Sequence, residues 1–185
     1  MRTAIALALA ASLLAAGPVA AGGALALAQA PAKSSEAVAV ASTAIGAGRR
    51  IAARNTAYGQ NLSPEVNWSA VRGARAYALV LEDPDAAGAQ PFVHWLVWNI
   101  PARTTRLAEV GLPAGAIQGR NGRGGAGYWG PHPPGGTHHY HLEVFALDAP
   151  LALGAGADRN ALVAALRGHV IASGETVGLS SPPTH

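Results

Sequence analysis

The 185-residue sequence predicts a mainly β domain, a sandwich or a barrel, with few helices. Three observations carry this. Short runs of aromatic and aliphatic residues recur between Pro and Gly signals, only one segment has clear helical punctuation, and the Gly/Pro-dense stretch 119–136 suits neither a helix nor a central strand.

At the N-terminus, Arg2 is followed by an apolar run over 4–16, then Gly17 and Pro18, then small residues at Val19-Ala20-Ala21 and Ala28-Gln29-Ala30. This is the layout of a secretory signal peptide over 1–30, cut after Ala21 or Ala30. The run of about 13 residues falls short of the roughly 20 that span a bilayer, and no Cys is present to carry a lipid at the cut. Residues 31–41 read as a polar leader and 42–185 as one domain. The expected fate is export, to a periplasmic or secreted location.

In the domain, 76–81 and 92–100 are apolar runs bounded by Pro and Gly, as buried strands are. Segment 139–147 sets His141 and Glu143 against Tyr140, Leu142 and Val144, a period of two that predicts a strand with one buried face. Asp158 is placed to cap a helix over 159–167, with Leu162, Val163 and Leu166 on one side and Gly168 just past its end. A last strand follows over 169–179. Because Pro131, Pro133 and Pro134 break any regular element, 119–136 reads as a long ordered loop, and such loops are usually functional.

Composition narrows the chemistry. Zero Cys removes disulfide scaffolds, thiolate metal sites and Cys nucleophiles, and 12% charged residues exclude a coiled coil or a charged tail. The net charge of +3 reflects a slight excess of Arg, with no basic run, so nucleic acid is not an expected partner. No Gly-x-Ser-x-Gly nucleophile turn appears, nor does a phosphate-loop or dinucleotide pattern.

What remains is a set of polar residues among apolar strands: Asp83-Pro84-Asp85, His94, His132 in the Gly/Pro loop, and His138-His139-Tyr140. Each alone has a structural reading. Asp-Pro-Asp is a common turn, and a His between Val93 and Trp95 is usually a satisfied core residue. His138 and His139 point to opposite faces of a strand, so at most one faces inward. His94, His132, His138 and Asp83 form a conceivable metal set, but no local ligand spacing supports it.

Taken in order, Asn61-x-Ser63-Pro64, Asp83-Pro84-Asp85, His94-Trp95-x-x-x-Asn99-Ile100-Pro101, Gly119-Arg120-Asn121, Gly127-Tyr128-x-Gly130-Pro131-x-Pro133-Pro134, His138-x-Tyr140 and Gly168-His169-Val170 resemble the phosphatidylethanolamine-binding protein family, in its bacterial Raf-kinase-inhibitor-like branch. The resemblance runs from about Ser42 to Ser180. It implies a sandwich of two antiparallel sheets with a few short helices, and a small pocket for phosphate-like anions. It implies ligand-binding roles for Asp83, Asp85, His94, His138 and Tyr140, with His132 added from the loop wall. Against the family pattern, His139 stands where Arg is usual, His132 where Cys is common, and Ala87 where Pro follows Asp-Pro-Asp-Ala.

The expected function is therefore a non-enzymatic binding protein for a phosphate-containing ligand or phospholipid head group, with no cofactor. Two carboxylates beside an anion repel it. Either the Asp groups orient histidines whose N–H groups hold the anion, or the ligand is a zwitterion such as phosphoethanolamine. A cis peptide among the X–Pro bonds of 130–134 is expected to fix the loop wall. Other readings are an inhibitor of an extracytoplasmic enzyme acting through surface loops on a protein client, and a His/Asp hydrolase or metal enzyme. A homodimer is compatible with all of them.

Overall fold

The computed structural model describes residues 23–184. In chain order the elements are α1 (Ala26–Gln29), β1 (Val40–Ala41), β2 (Val66–Trp68), β3 (Ala76–Asp83), β4 (Phe92–Pro101), β5 (Arg106–Leu107), β6 (Ile117–Gln118), β7 (His138–Leu147), α2 (Arg159–Leu166) and β8 (Val170–Ser180). They form a five-stranded sheet in the order β6-β4-β3-β7-β8 and a three-stranded sheet β1-β2-β5. Both sheets are antiparallel, so the expected sandwich is the fold.

β3 lies at the centre because all eight of its residues are buried, on both faces of the sheet. One face of the large sheet sends Tyr77, Leu79, Leu81, Trp95, Val97 and Leu142 against Val66, Trp68 and Leu107 of the small sheet. The other face packs Ala78, Val80, Leu96, Trp98 and Phe145 against Leu162, Val163 and Leu166 of α2. Burying each of those three helix side chains contributes roughly 1.5–3 kcal/mol. α2 is capped as expected: the Ala161 N–H donates to Asp158 Oδ1 at 2.9 Å, and Gly168 takes φ +79° just past the end.

Two expectations are corrected here. β7 is buried on both faces from Leu142 onward, not on one, because Glu143 and Phe145 lie under the helices rather than in solvent. The packed body also begins before residue 42. Ala26 and Ala30 are fully buried against the large sheet, and β1 pairs with β2 at Val40–Trp68. Residues 33–51 then run along the outer side of β8. The N–H groups of Lys33, Val38, Gly48 and Ile51 donate to carbonyls of Val170, Ser173, Val177 and Leu179. That approach requires Gly174, where a Cβ would sit 1.9 Å from the Val38 oxygen. Of the signal peptide expected over 1–30, residues 1–22 lie outside the described residues.

Candidate functional site

The site forms where β3 and β7 meet at one end of the large sheet. Pro84 ends β3, and Asp83 closes the turn: its Oδ1 accepts the Asp85 N–H at 2.8 Å and the Ala86 N–H at 3.2 Å. The same carboxylate uses Oδ2 to hold His138 Nδ1 at 2.7 Å. Turn and site readings of Asp-Pro-Asp thus coexist in one side chain. Asp85 Oδ2 accepts the His139 backbone N–H and meets His139 Nδ1, both at 2.7 Å. Burial pushes the Asp85 carboxyl up, but these hydrogen bonds from His139 outweigh it and hold the group below the usual carboxylate range.

His94 comes from β4 and is buried, as a core histidine would be. Its Nδ1 lies 2.6 Å from the Trp129 carbonyl oxygen, and the Trp129 N–H returns a bond to the His94 carbonyl at 2.8 Å. A carbonyl can only accept, so Nδ1 carries the proton and Nε2 is left as a lone-pair acceptor. Burial pushes the His94 pKa down to about 4, which keeps the ring neutral near pH 7.

Tyr140, on β7, is fully buried, stands edge-on to His94 and runs nearly parallel to His138. Among the described residues its hydroxyl has no hydrogen-bond partner of normal geometry, although the Asp83 carboxylate lies near it. Burial, then the negative charge of Asp83, raises its pKa, so it remains a phenol with a proton to give. An orphaned buried donor costs about 1–3 kcal/mol, which an incoming acceptor offsets.

All six expected residues line one cavity of about 350 Å³: Asp83, Asp85, His94, His132, His138 and Tyr140. His138 is the inward member of its pair, while His139 is exposed, and as the residue in the Arg position it instead bonds Asp85. His132 stacks on Tyr58 with ring centroids 4.3 Å apart, and the Tyr58 hydroxyl donates to the Pro133 carbonyl. The loop wall is held without a cis bond, since none occurs among the described residues. Instead the Gly130 N–H donates to Asn61 Oδ1 at 2.6 Å, and a Cβ on Gly130 would come within 2.8 Å of Asn55 and Ala57 backbone atoms. Among the described residues, no three His, Cys, Asp or Glu side chains are grouped to hold a metal ion.

Sequence reasoning missed Phe92, Trp129 and Arg123, which also line the cavity. Arg123 lays its guanidinium over the Trp129 ring, 4.7 Å from the centroid, and is the lining residue with a permanent positive charge. The Asn121-Gly122 turn aims it there, with Asn121 Oδ1 accepting the Arg123 N–H at 2.9 Å. The cavity thus combines carboxylate-anchored imidazoles, a phenol donor, a rim cation and apolar walls from Phe92, Pro133 and Pro134.

Fold and site together define a β-sandwich protein with a carboxylate–histidine pocket at a sheet end. Comparison with known proteins gives the family: the phosphatidylethanolamine-binding protein model matches residues 41–181, and the chain belongs to that family. A UPF0098 protein of Methanothermobacter thermautotrophicus is 41% identical over 136 residues, covering 70% of this chain and 89% of its own. LppC of Mycobacterium tuberculosis, named as a candidate lipoprotein, is 42% identical over 101 residues, or 54% of this chain and 50% of its own. Among solved structures, a candidate phosphatidylethanolamine-binding protein homologue of Chlamydia trachomatis superposes with TM-score 0.75 at 32% identity. Escherichia coli YbcL, described as a new member of the mammalian family, gives 0.74 at 33%. Each match covers 80% of this chain and all of the other.

Proposed function

We propose that the protein is an exported, non-enzymatic binding protein whose pocket holds a phosphate-like anion or a phospholipid head group of the phosphoethanolamine type. The observation that carries this reading is the unpartnered Tyr140 hydroxyl beside the Asp83–His138 pair, inside a cavity with Arg123 at its rim. The Tyr140 O–H and the Arg123 guanidinium donate to phosphate oxygens. With Nδ1 held by Asp83, a protonated His138 adds an Nε2–H donor. The carboxylates, repulsive to a bare anion, suit the ammonium end of a zwitterion. Polar groups held in place to bind, in a cavity lined by no Ser, Thr, Cys or Lys side chain, favour capture over turnover. Export rests on the leader-like N-terminus and on a relative named as a candidate lipoprotein.

Calorimetric titration with phosphoethanolamine, inorganic phosphate and ethanolamine, near pH 6 and pH 8, tests the reading, with Asp83→Ala and His138→Ala as controls. Binding of the ester that both substitutions abolish is the expected result. No heat from any of the three with folded protein overturns it, and release of phosphate from the ester would make the protein an enzyme.

A further inference from the structure

On the outer face of the large sheet, away from the pocket, three ionisable side chains are buried together: Glu82, Glu143 and Arg159. Glu82 and Arg159 pair directly. The backbone of residues 24–29 supplies further partners, while Glu143 Oε1 and Arg159 Nη1 have none among the described residues. The Ala26 N–H donates to Glu82 Oε1 at 2.6 Å, the Leu27 N–H to Glu143 Oε2 at 3.1 Å, and Arg159 Nη2 donates to the Ala24 carbonyl at 2.8 Å. Arg167 reaches the Gln29 carbonyl from α2 at 3.1 Å. Among the described residues, Leu27 is the sole hydrogen-bond partner of Glu143. The methyl groups of Ala26 and Ala30, both fully buried, complete the apolar layer around the cluster.

The chain offers two small-residue sequences of the kind a signal peptidase reads, ending at Ala21 and at Ala30. They differ in what survives the cut. Hydrolysis after Ala30 would remove the Ala26 and Leu27 N–H donors and the Ala24 carbonyl, leaving Glu143 with no hydrogen-bond partner among the described residues and the Glu82–Arg159 pair without its backbone partners from this segment. It would also fall at the Ala30–Pro31 bond, where the residue after the cut has no N–H to donate to the enzyme and a fixed φ. Hydrolysis after Ala21 keeps the whole strap.

We infer that the protein is processed by a signal peptidase between Ala21 and Gly22, and that 24–30, although leader-like in composition, is retained as the strap that closes the Glu82–Glu143–Arg159 cluster. Water adds across the Ala21–Gly22 amide, yielding the Ala21 carboxylate on the released leader and the Gly22 ammonium on the mature chain. The inference stands apart from the pocket reading and fails or holds without it.

The test is expression of the full chain in a bacterial host, followed by intact mass and N-terminal sequencing of the exported protein. Two variants accompany it: Ala21→Arg, at the last position before the proposed cut, and Ala28→Arg, at an exposed position of the strap that would spoil only the second sequence. The expected results are a mature N-terminus at Gly22, loss of processing with Ala21→Arg, and unchanged processing with Ala28→Arg. A mature chain beginning at Pro31, an exported or retained chain still carrying Met1, or processing blocked by Ala28→Arg overturns the inference.

Discussion

Asp83 and His138, 55 positions apart, meet at 2.7 Å between Oδ2 and Nδ1 where β3 ends and β7 begins. One carboxylate thereby does two tasks: Oδ1 locks the turn that follows β3, and Oδ2 sets the orientation of the imidazole. Asp85 repeats the arrangement one step outward with His139. The pocket's polar groups are positioned before any ligand arrives, which lowers the entropy cost of binding.

Tyr140→Phe removes the unpartnered hydroxyl while keeping the ring against His94. The variant should melt no lower than the parent, because an unsatisfied buried donor is deleted. Phosphoethanolamine binding should weaken about tenfold, as expected for loss of one hydrogen bond of about 1.5 kcal/mol to a charged acceptor. A lower melting temperature with unchanged affinity would assign the hydroxyl a structural role instead.

Burial sets an acid limit through His94. Its folded pKa of about 4 lies below the ordinary 6.5, so the unfolded chain takes up a proton first as the pH falls. The stabilisation is complete above pH 6.5 and is lost progressively toward pH 4, by roughly 3 kcal/mol. In urea unfolding between pH 4 and 7, His94→Asn, whose amide N–H can still reach the Trp129 carbonyl, should flatten this part of the profile. An unaltered slope would contradict a buried neutral ring.

The sign reverses for Glu143. Burial first, and then the charges of Glu82 and Glu175, push its pKa well above the carboxylate range, so the folded state holds a proton that the unfolded chain has released. Stability is therefore lost as the pH rises from the ordinary carboxylate value through the raised one. Glu143→Gln, which retains an oxygen for the Leu27 N–H, should match the parent near pH 4 and exceed it in melting temperature near pH 8.

Arg123→Ala should lower the melting temperature by no more than about 2–4 °C, since the residue is exposed and its ring contact contributes about 0.5–1 kcal/mol. Affinity for phosphoethanolamine should fall by about three- to tenfold, and the parent's affinity should decline more steeply with added salt than the variant's. Equal salt dependence in the two proteins would remove Arg123 from the site.

The strands were legible because Pro, Gly and aromatic residues delimit them: β3, β4 and β8 fall within two residues of the ranges read from the sequence. Five of the pocket residues could be named in advance because Asp-Pro-Asp, His-Trp and His-x-Tyr occur together in family order, His132 came from the Gly/Pro loop, and all six line the cavity. Arg123 over Trp129 was invisible, since a contact across a glycine-rich loop leaves no periodic trace. The outer face of β7 was misread for a related reason. Glu143 looks like a solvent residue until one knows that an Ala-rich segment more than a hundred positions upstream covers it, and nothing in that segment's own composition separates it from a leader.

β8 is an eleven-residue strand on the flank of the large sheet. Its outward N–H and C=O groups would otherwise template pairing with another copy, the usual route from a bare sheet edge to aggregation. The run 33–51, seated against it over Gly174, occupies those groups, and the opposite edge strand, β6, is only two residues long. The segment that contributes no side chain to the pocket is thus what covers this edge, and a chain trimmed to residue 52 would keep every pocket-lining side chain while exposing a bare strand.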